Sequence, residues 1–257
     1  MDQEDSHAHL QARWDREQAF HDALAQHLDP EAMPASAPVR YDEAVLAAAH
    51  VAPGTRVLDL GCGQGDLTLA LLQRGAEVTA LDLSPGLIAV ARRRTELYAG
   101  GRHAQFIVAP VECTGLSSSS FDVIVGRWIL HHVDLQAAAA ELSRLLAPRG
   151  RAVFLENSGA NPILNVARDH FAGRFGIPRM GTKDERPLIS DDWRMLETCF
   201  TSVRAEFPIV DFFELLNRQV FRYRFRSIRI ICRELDRLLA RSRLRKYSYR
   251  VLVIADK

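Results

Sequence analysis

The chain has 257 residues, 47% of them apolar and 25% charged, with a formal net charge of +1, which suits one large domain or one domain with an appendage. The apolar content excludes wholesale disorder, and the lack of an apolar run of about 18 residues excludes a spanning helix. The acidic, polar start MDQEDSHAHL lacks the basic-then-apolar order of a secretion signal.

Four scattered cysteines, Cys62, Cys113, Cys199 and Cys232, form no C-x-x-C pair. They argue against a structural zinc site or a disulfide framework and lead to the expectation of a reducing, cytoplasmic compartment. His7 and His9 lack a third ligand, so no metal site is expected. The near-neutral charge is unevenly shared. Between Arg218 and Lys246 stand eleven Lys/Arg against Glu234 and Asp236, a local excess of +9 that leaves −8 for the rest. A chain basic in one segment only is not the pattern of a nucleic-acid binder.

Residues 6–28 place Trp14, Phe20, Leu24 and Leu28 at helical spacing among charges, predicting an amphipathic N-terminal helix. The Pro/Ala-rich segment 29–39 reads as a linker, so residues 1–39 are expected to act as a lid on a domain spanning 40–257. A second helix is predicted at about 40–50. Short apolar runs at Arg56–Leu60, Ala76–Leu81, Ala104–Val108, Phe121–Val125 and Arg151–Leu155 then alternate with helical stretches at 66–74, 85–98 and 134–147. Pro148-Arg149-Gly150 closes the last of these. Strands apolar on both faces and separated by helices imply a parallel, doubly wound α/β sheet. Residues 157–190, rich in Gly, Pro and Arg, read as a substrate-lid insertion, and Ser190-Asp191-Asp192 as a helix start. A strand is predicted at Ser202–Val210, one long helix at 212–241 and a final strand at Tyr247–Ile254.

The most informative stretch is Val57-Leu58-Asp59-Leu60-Gly61-Cys62-Gly63-Gln64-Gly65-Asp66, a strand running into three alternate glycines and a helix. The carboxyl end of the first strand in such a sheet is where a nucleotide-like ligand sits. Asp82 ends the next strand, where its carboxylate can accept both hydroxyls of a ribose. A dinucleotide needs a small third residue at the position of Asp66, and an aspartate there sets negative charge where a pyrophosphate must lie. S-adenosylmethionine (SAM), with a cationic methionyl end, suits these carboxylates better.

VLDLGCGQG followed by VTALDLSPGLIAVAR, FDVIVGRWILHHV and LLAPRGRAVFLEN resembles the class I SAM-dependent methyltransferases, most of all the small-molecule type of quinone biosynthesis. The likeness covers about residues 40–158. It implies a Rossmann-like seven-stranded sheet whose last strand is antiparallel between strands five and six, with N-terminal helices added. Asp59, Gly61, Gly63 and Gly65 would wrap the methionyl part, Asp82 the ribose, and Leu83 the adenine. Pro110 replaces an acidic residue usual in relatives, which leaves Val111 and Glu112 for the adenine edge. Arg127 and Trp128 would lie beneath the sulfonium and the acceptor. Related proteins place Tyr41 at the SAM carboxylate, with a core tyrosine as the alternative. Asn161-Pro162 follows the fifth strand and lacks the aromatic of the N-P-P-Y motif of amino-methylating nucleic-acid enzymes.

The expected activity is methyl transfer to a small organic acceptor, with S-adenosylhomocysteine as the other product. O-methylation of an anionic or aromatic metabolite in a biosynthetic route is the first reading. A nucleic-acid or protein methyltransferase and a non-catalytic SAM-binding module are the alternatives. His131, His132 and Glu156 are the candidates for a catalytic base, although a structural role for the histidines at a helix start competes. Trp14, Trp128, Asn157, His170 and Arg174 are expected at the acceptor. Arg168, Arg179, Lys183 and Arg186 add positive charge suited to an anion, unless they are ion-paired to Asp169, Asp184 and Glu185. The basic helix is expected to cover the sheet, its apolar stripe inward and its arginines outward, rather than to contact a membrane surface.

Overall fold

The computed structural model describes residues 3–32, 39–171 and 186–257. Among these, strands β1 (Arg56–Leu60), β2 (Glu77–Asp82), β3 (Gln105–Val108), β4 (Phe121–Arg127), β5 (Leu146–Asn157), β6 (Ser202–Glu206) and β7 (Arg250–Asp256) form one sheet. Its order is β3-β2-β1-β4-β5-β7-β6. The first five strands are mutually parallel, and β7 runs antiparallel between β5 and β6. This is the doubly wound sheet with a reversed last strand that the sequence led us to expect.

The helices are α1 (Gln3–Ala25), α2 (Val39–Ala49), α3 (Asp66–Gln73), α4 (Pro85–Tyr98), α5 (Leu135–Leu145), α6 (Pro162–Phe171), α7 (Ser190–Cys199), α8 (Phe212–Leu216) and α9 (Arg226–Ala240). Alternation along the strands divides the core in two. Val57, Val125, Val153 and Ile254 face one layer with Val45 and Leu46 of α2. Leu58, Ile124, Phe154 and Val253 face the other with Leu142 of α5 and Leu196 of α7. Both faces are therefore covered, as a parallel sheet requires.

Helix starts are set by side chains. Ser84 Oγ accepts from Leu87 N at 3.0 Å ahead of Pro85, and Asp134 accepts from Ala137 N at 3.0 Å. Asp192 in α7 accepts from Ile189 N at 2.8 Å, as the acidic helix start implied.

Three expectations need correction. Pro148-Arg149-Gly150 does not separate a helix from a strand, because β5 already begins at Leu146. The irregularity appears as a register shift opposite Phe121–Val123 and a positive φ of 64° at Arg149. The strand after α7 ends at Glu206, ahead of Pro208, which has no N–H for a ladder. The supposed single helix 212–241 is broken. A π-helical turn at Asn217–Phe221 leads to positive φ at Arg222 and Tyr223, and α9 folds back on α8. The cause is Asp236, whose carboxylate accepts from Phe213 N and Glu214 N at 2.9 Å each. No straight helix brings residue 236 to residue 213.

That fold-back also overturns the expected packing of the apolar stripe. Helix α9 buries Cys232 and Asp236 and leaves Ile231, Leu235 and Leu238 exposed at 57%, 38% and 63%. Of the proposed lid insertion, α6 and a bridge between Ser158 and Leu188 are described, while Arg174, Arg179 and Lys183 lie outside the described residues.

Gly65 makes the turn into α3 at φ 89°, and a Cβ there would lie 3.0 Å from Ala91 Cα in α4. Both the left-handed backbone and the helix contact exclude a side chain. Gly65→Ala is expected to destabilise the fold by about 2 kcal/mol or more, read as a lower midpoint in urea unfolding.

Candidate active site

A cavity of about 410 Å³ opens at the carboxyl ends of β1, β2 and β4 and the loop after β3. This is the switch point of the strand order, and the size suits a small ligand. Gly61, Gly63, Asp82, Leu83 and Val111 form its floor, with Arg127 and Trp128 beside them and α1 across the top.

Asp82 organises the floor. Its Oδ2 accepts from Gly63 N at 2.8 Å and its Oδ1 from Ser84 N at 2.9 Å. Burial pushes its pKa up, and the backbone donors oppose that. Gly63 has φ 54°, and a Cβ there would meet no protein atom within 4 Å. The loop therefore leaves backbone bare against the cavity. Asp59 is 1% exposed and sits beneath the loop, accepting from Thr68 Oγ1 at 2.6 Å. Burial raises its pKa to about 7, against the pull of the Thr68 hydrogen bond and Arg127. It does not line the cavity.

Arg127 lies between two carboxylates, 2.7 Å from Asp42 and 3.7 Å from Asp66. Trp128 holds φ 55°, uncommon for a bulky residue and a mark of a constrained site. Its indole Nε1 is buried with no hydrogen-bond partner among the described residues, so the cavity wall offers a donor to a ligand. Tyr41 is turned away. It is 6% exposed, donates to Asp211 at 2.7 Å and packs edge-on against Trp128, so it takes the core role that was its alternative.

The three candidate bases separate. Glu156 is fully buried behind the wall, where Oε1 accepts from Ile129 N and Leu130 N at 2.8 Å each and Oε2 lies 2.7 Å from His131 Nδ1. Together they shape the turn after β4. His132 alone lines the cavity, its Nδ1 3.0 Å from Glu17 Oε2. Asn157 pairs with Arg250 away from the cavity. His170 is exposed, its Nδ1 near Val166 O. Arg186 bonds Asp192 at 2.6 Å, while Asp184 and Glu185 lie outside the described residues. Glu112 lines the cavity and is engaged from both sides, by Trp14 Nε1 at 3.0 Å and Asp134 N at 2.8 Å.

Sequence reasoning missed most of the α1 contribution. Trp14, Glu17, His21 and Leu24 of α1 line the cavity, with Leu28 just beyond the helix end; the spacings of 3, 4 and 3 within α1 mark one helix face. That periodicity was the available signal, but Trp14 and Phe20 were the residues carried to the site, and Phe20 is exposed and not among the residues lining the cavity. The helix is tied down by Arg13 Nε donating to His132 O at 2.9 Å and by Asp22, which accepts from Ser84 Oγ and Gly86 N.

Residues 58–154 match the family model described as a methyltransferase domain. That stretch, about two fifths of the chain, is a methyltransferase domain of the class I SAM-dependent kind. It is similar to the demethylmenaquinone methyltransferase of Thermus thermophilus, 40% identical over 39% of this chain and 46% of the relative. Similarity also extends to the ubiquinone biosynthesis O-methyltransferase of Xanthomonas campestris, 38% identical over 49% of this chain and 51% of the relative. The chain thus spans about half the length of these curated relatives. In fold it matches the geranyl diphosphate C-methyltransferase of Streptomyces coelicolor, with a TM-score of 0.59, 19% identity, and 85% and 78% of the two chains covered.

The cofactor of the family is SAM, and the residues present fit it. Gly63 leaves a bare backbone floor, and Asp82 has acceptor capacity beyond its two present bonds. The acidic side chains Asp82 and Glu112 accommodate a cationic ligand, and Trp128 offers a buried donor.

Asp59 generates a pH prediction. The folded state holds its proton up to about pH 7, whereas the unfolded chain releases it near pH 4. Between those values the folded state binds more protons, so this group makes stability fall as pH rises, by at most about 1.4 kcal/mol per unit. Asp59→Asn keeps an acceptor for Thr68 but cannot ionise. Urea unfolding at steps from pH 5 to 8 is expected to show the variant gaining on the parent as pH rises, levelling off above about pH 7.

Proposed function

We propose that this protein transfers a methyl group from SAM to a hydroxyl of a small anionic or aromatic acceptor. The observation that carries this reading is the placement of Asp82 and His132 on the walls of one cavity, with α1 closing it. When bound, SAM supplies an electrophilic methyl on a sulfonium.

Asp82 would hold the ribose, with Leu83 and Val111 against the adenine. Arg127 is suited to a ligand carboxylate because guanidinium geometry matches it, and its two acidic partners keep the site from excess positive charge. His132 is the base. It would take the acceptor's proton, while Glu17 orients the imidazole and stabilises its charged form. The His131–Glu156 pair is a positioning device that sets the backbone from Ile129 to His132. Helix α1 acts as the lid and excludes water from the reacting groups by laying Trp14 and Leu24 over them. The O-methyltransferase name of the Xanthomonas campestris relative supports a hydroxyl acceptor.

Thermal unfolding with S-adenosylhomocysteine at about 100 times its dissociation constant should raise the midpoint by roughly 5–10 °C. Asp82→Ala is expected to abolish that shift. A variant that retains the full shift would remove Asp82 from the cofactor site. His132→Ala should keep the shift yet slow release of S-adenosylhomocysteine on phenolic acids by about 10²–10⁴-fold. Turnover at the parent rate would end the base assignment.

A further inference from the structure

The basic C-terminal module has no part in the site described above, and the matched methyltransferase domain ends well before it. Eight of the fifteen exposed large apolar side chains among the described residues fall within residues 223–247: Tyr223, Phe225, Ile230, Ile231, Leu235, Leu238, Leu244 and Tyr247. Such crowding marks an interaction surface rather than scattered surface apolarity. The same stretch carries the local charge of +9 within Arg218–Lys246.

Its architecture explains why the apolar side chains stay outside. Helix α9 is latched to α8 through Asp236, and Cys232 is buried one turn earlier. Ile231, Leu235 and Leu238, at i, i+4 and i+7, then form a strip beside the buried face instead of within it. Arg226, Arg233, Arg237 and Arg241 project from the other exposed side. Tyr223 and Tyr247 flank the segment, and aromatic side chains of this kind favour the boundary between apolar and aqueous phases. Arg233 contacts Glu214 at 3.7 Å and Arg237 contacts Glu234, so acidic neighbours offset only a small part of the charge.

We infer that α9 and the turn after it form a docking surface for an anionic lipid bilayer, with Ile231, Leu235 and Leu238 entering the interface and the arginines meeting the headgroups. The charge selects this occupant. An apolar strip within a strongly cationic segment disfavours a second copy of itself, because two such segments would repel, whereas an anionic surface complements both features. The helix is about 22 Å long and lies on the surface rather than across it; no helix among the described residues is long and apolar enough to cross a membrane. The net −8 on the remainder of the chain turns the rest of the molecule away from the same surface.

The test is sedimentation of the full chain with phosphatidylcholine vesicles containing about one third phosphatidylglycerol, beside pure phosphatidylcholine vesicles. Association is expected with the anionic vesicles and should weaken as salt rises from about 0.05 to 0.5 M. Arg241→Gln, Arg243→Gln and Arg245→Gln together should lower partitioning by on the order of a hundredfold. Ile231→Ser, Leu235→Ser and Leu238→Ser together should lower it comparably. Circular dichroism and the S-adenosylhomocysteine thermal shift would verify that both variants fold, and neither readout depends on methyl transfer. No association with anionic vesicles, or association unaffected by the serine variant, overturns the proposal. So does a dimer in sedimentation velocity that the serine variant dissolves, since the strip would then be a subunit interface.

Discussion

The carboxylate of Asp82 is the constraint on which the site depends. It closes the glycine loop by accepting from Gly63 N and fixes the turn after β2 by accepting from Ser84 N. Burying this carboxylate costs solvation, and two backbone donors offset that cost. Ser84 in turn caps α4 and donates to Asp22, which also receives Gly86 N. One connected set of hydrogen bonds therefore joins the loop, the strand end, the next helix and α1. Closure of α1 over the cavity is built on Ser84 and Gly86, next in the chain to the carboxylate that would receive a ribose, so the floor and α1 are linked through one chain of hydrogen bonds.

A second arrangement balances charge across the cavity. Arg127 stands between Asp42 and Asp66, and Asp66 also lies 3.9 Å from Arg94. Asp59, just below, has no cation in direct contact and responds by holding its proton up to about pH 7. Three carboxyl groups so close together cannot all carry full charge in a partly desolvated place, and the most buried of them is the one that gives way. A cationic methionyl group entering from above would restore the missing positive charge. This explains why a loop that is hostile to pyrophosphate can suit SAM.

The sheet was legible because every strand of its centre alternates into two apolar layers, and no other arrangement hides both Val57 and Leu58. The glycine loop and Asp82 were legible because only backbone can approach a ligand so closely at that strand end. The role of α1 was not. Glu17 and His21 read as solvated members of a charged helix until His132 and the cavity are set beneath them, since the pairing spans more than a hundred residues. Glu156 was singled out for chemistry, yet its carboxylate is consumed by backbone amides of the neighbouring turn. Nothing local in a sequence separates a carboxylate that meets a substrate from one that caps a loop. The break at Asn217–Tyr223 was hidden for a similar reason: the helical pattern persists through it, and the contact that holds the fold-back comes from Asp236, nearly three turns into the next helix.

The chain thus divides by the kind of constraint it obeys. Up to the middle of β5, cofactor geometry and sheet packing leave each residue little freedom, and it is here that similarity to other methyltransferases is found. Beyond β5 only β6 and β7 must satisfy the sheet. Ile209 and Val210 still bury, but α9 buries only Cys232 and Asp236 and is held to α8 through the Asp236 carboxylate. The side that carries Ile231, Leu235 and Leu238 is exposed, and in a chain selected only to fold, solvent would favour polar residues there. Isoleucine and leucine persist beside arginine instead, at a cost in exposed apolar area that the fold does not require. Such a cost is maintained by what the surface meets, and the charge around it specifies an anionic phase.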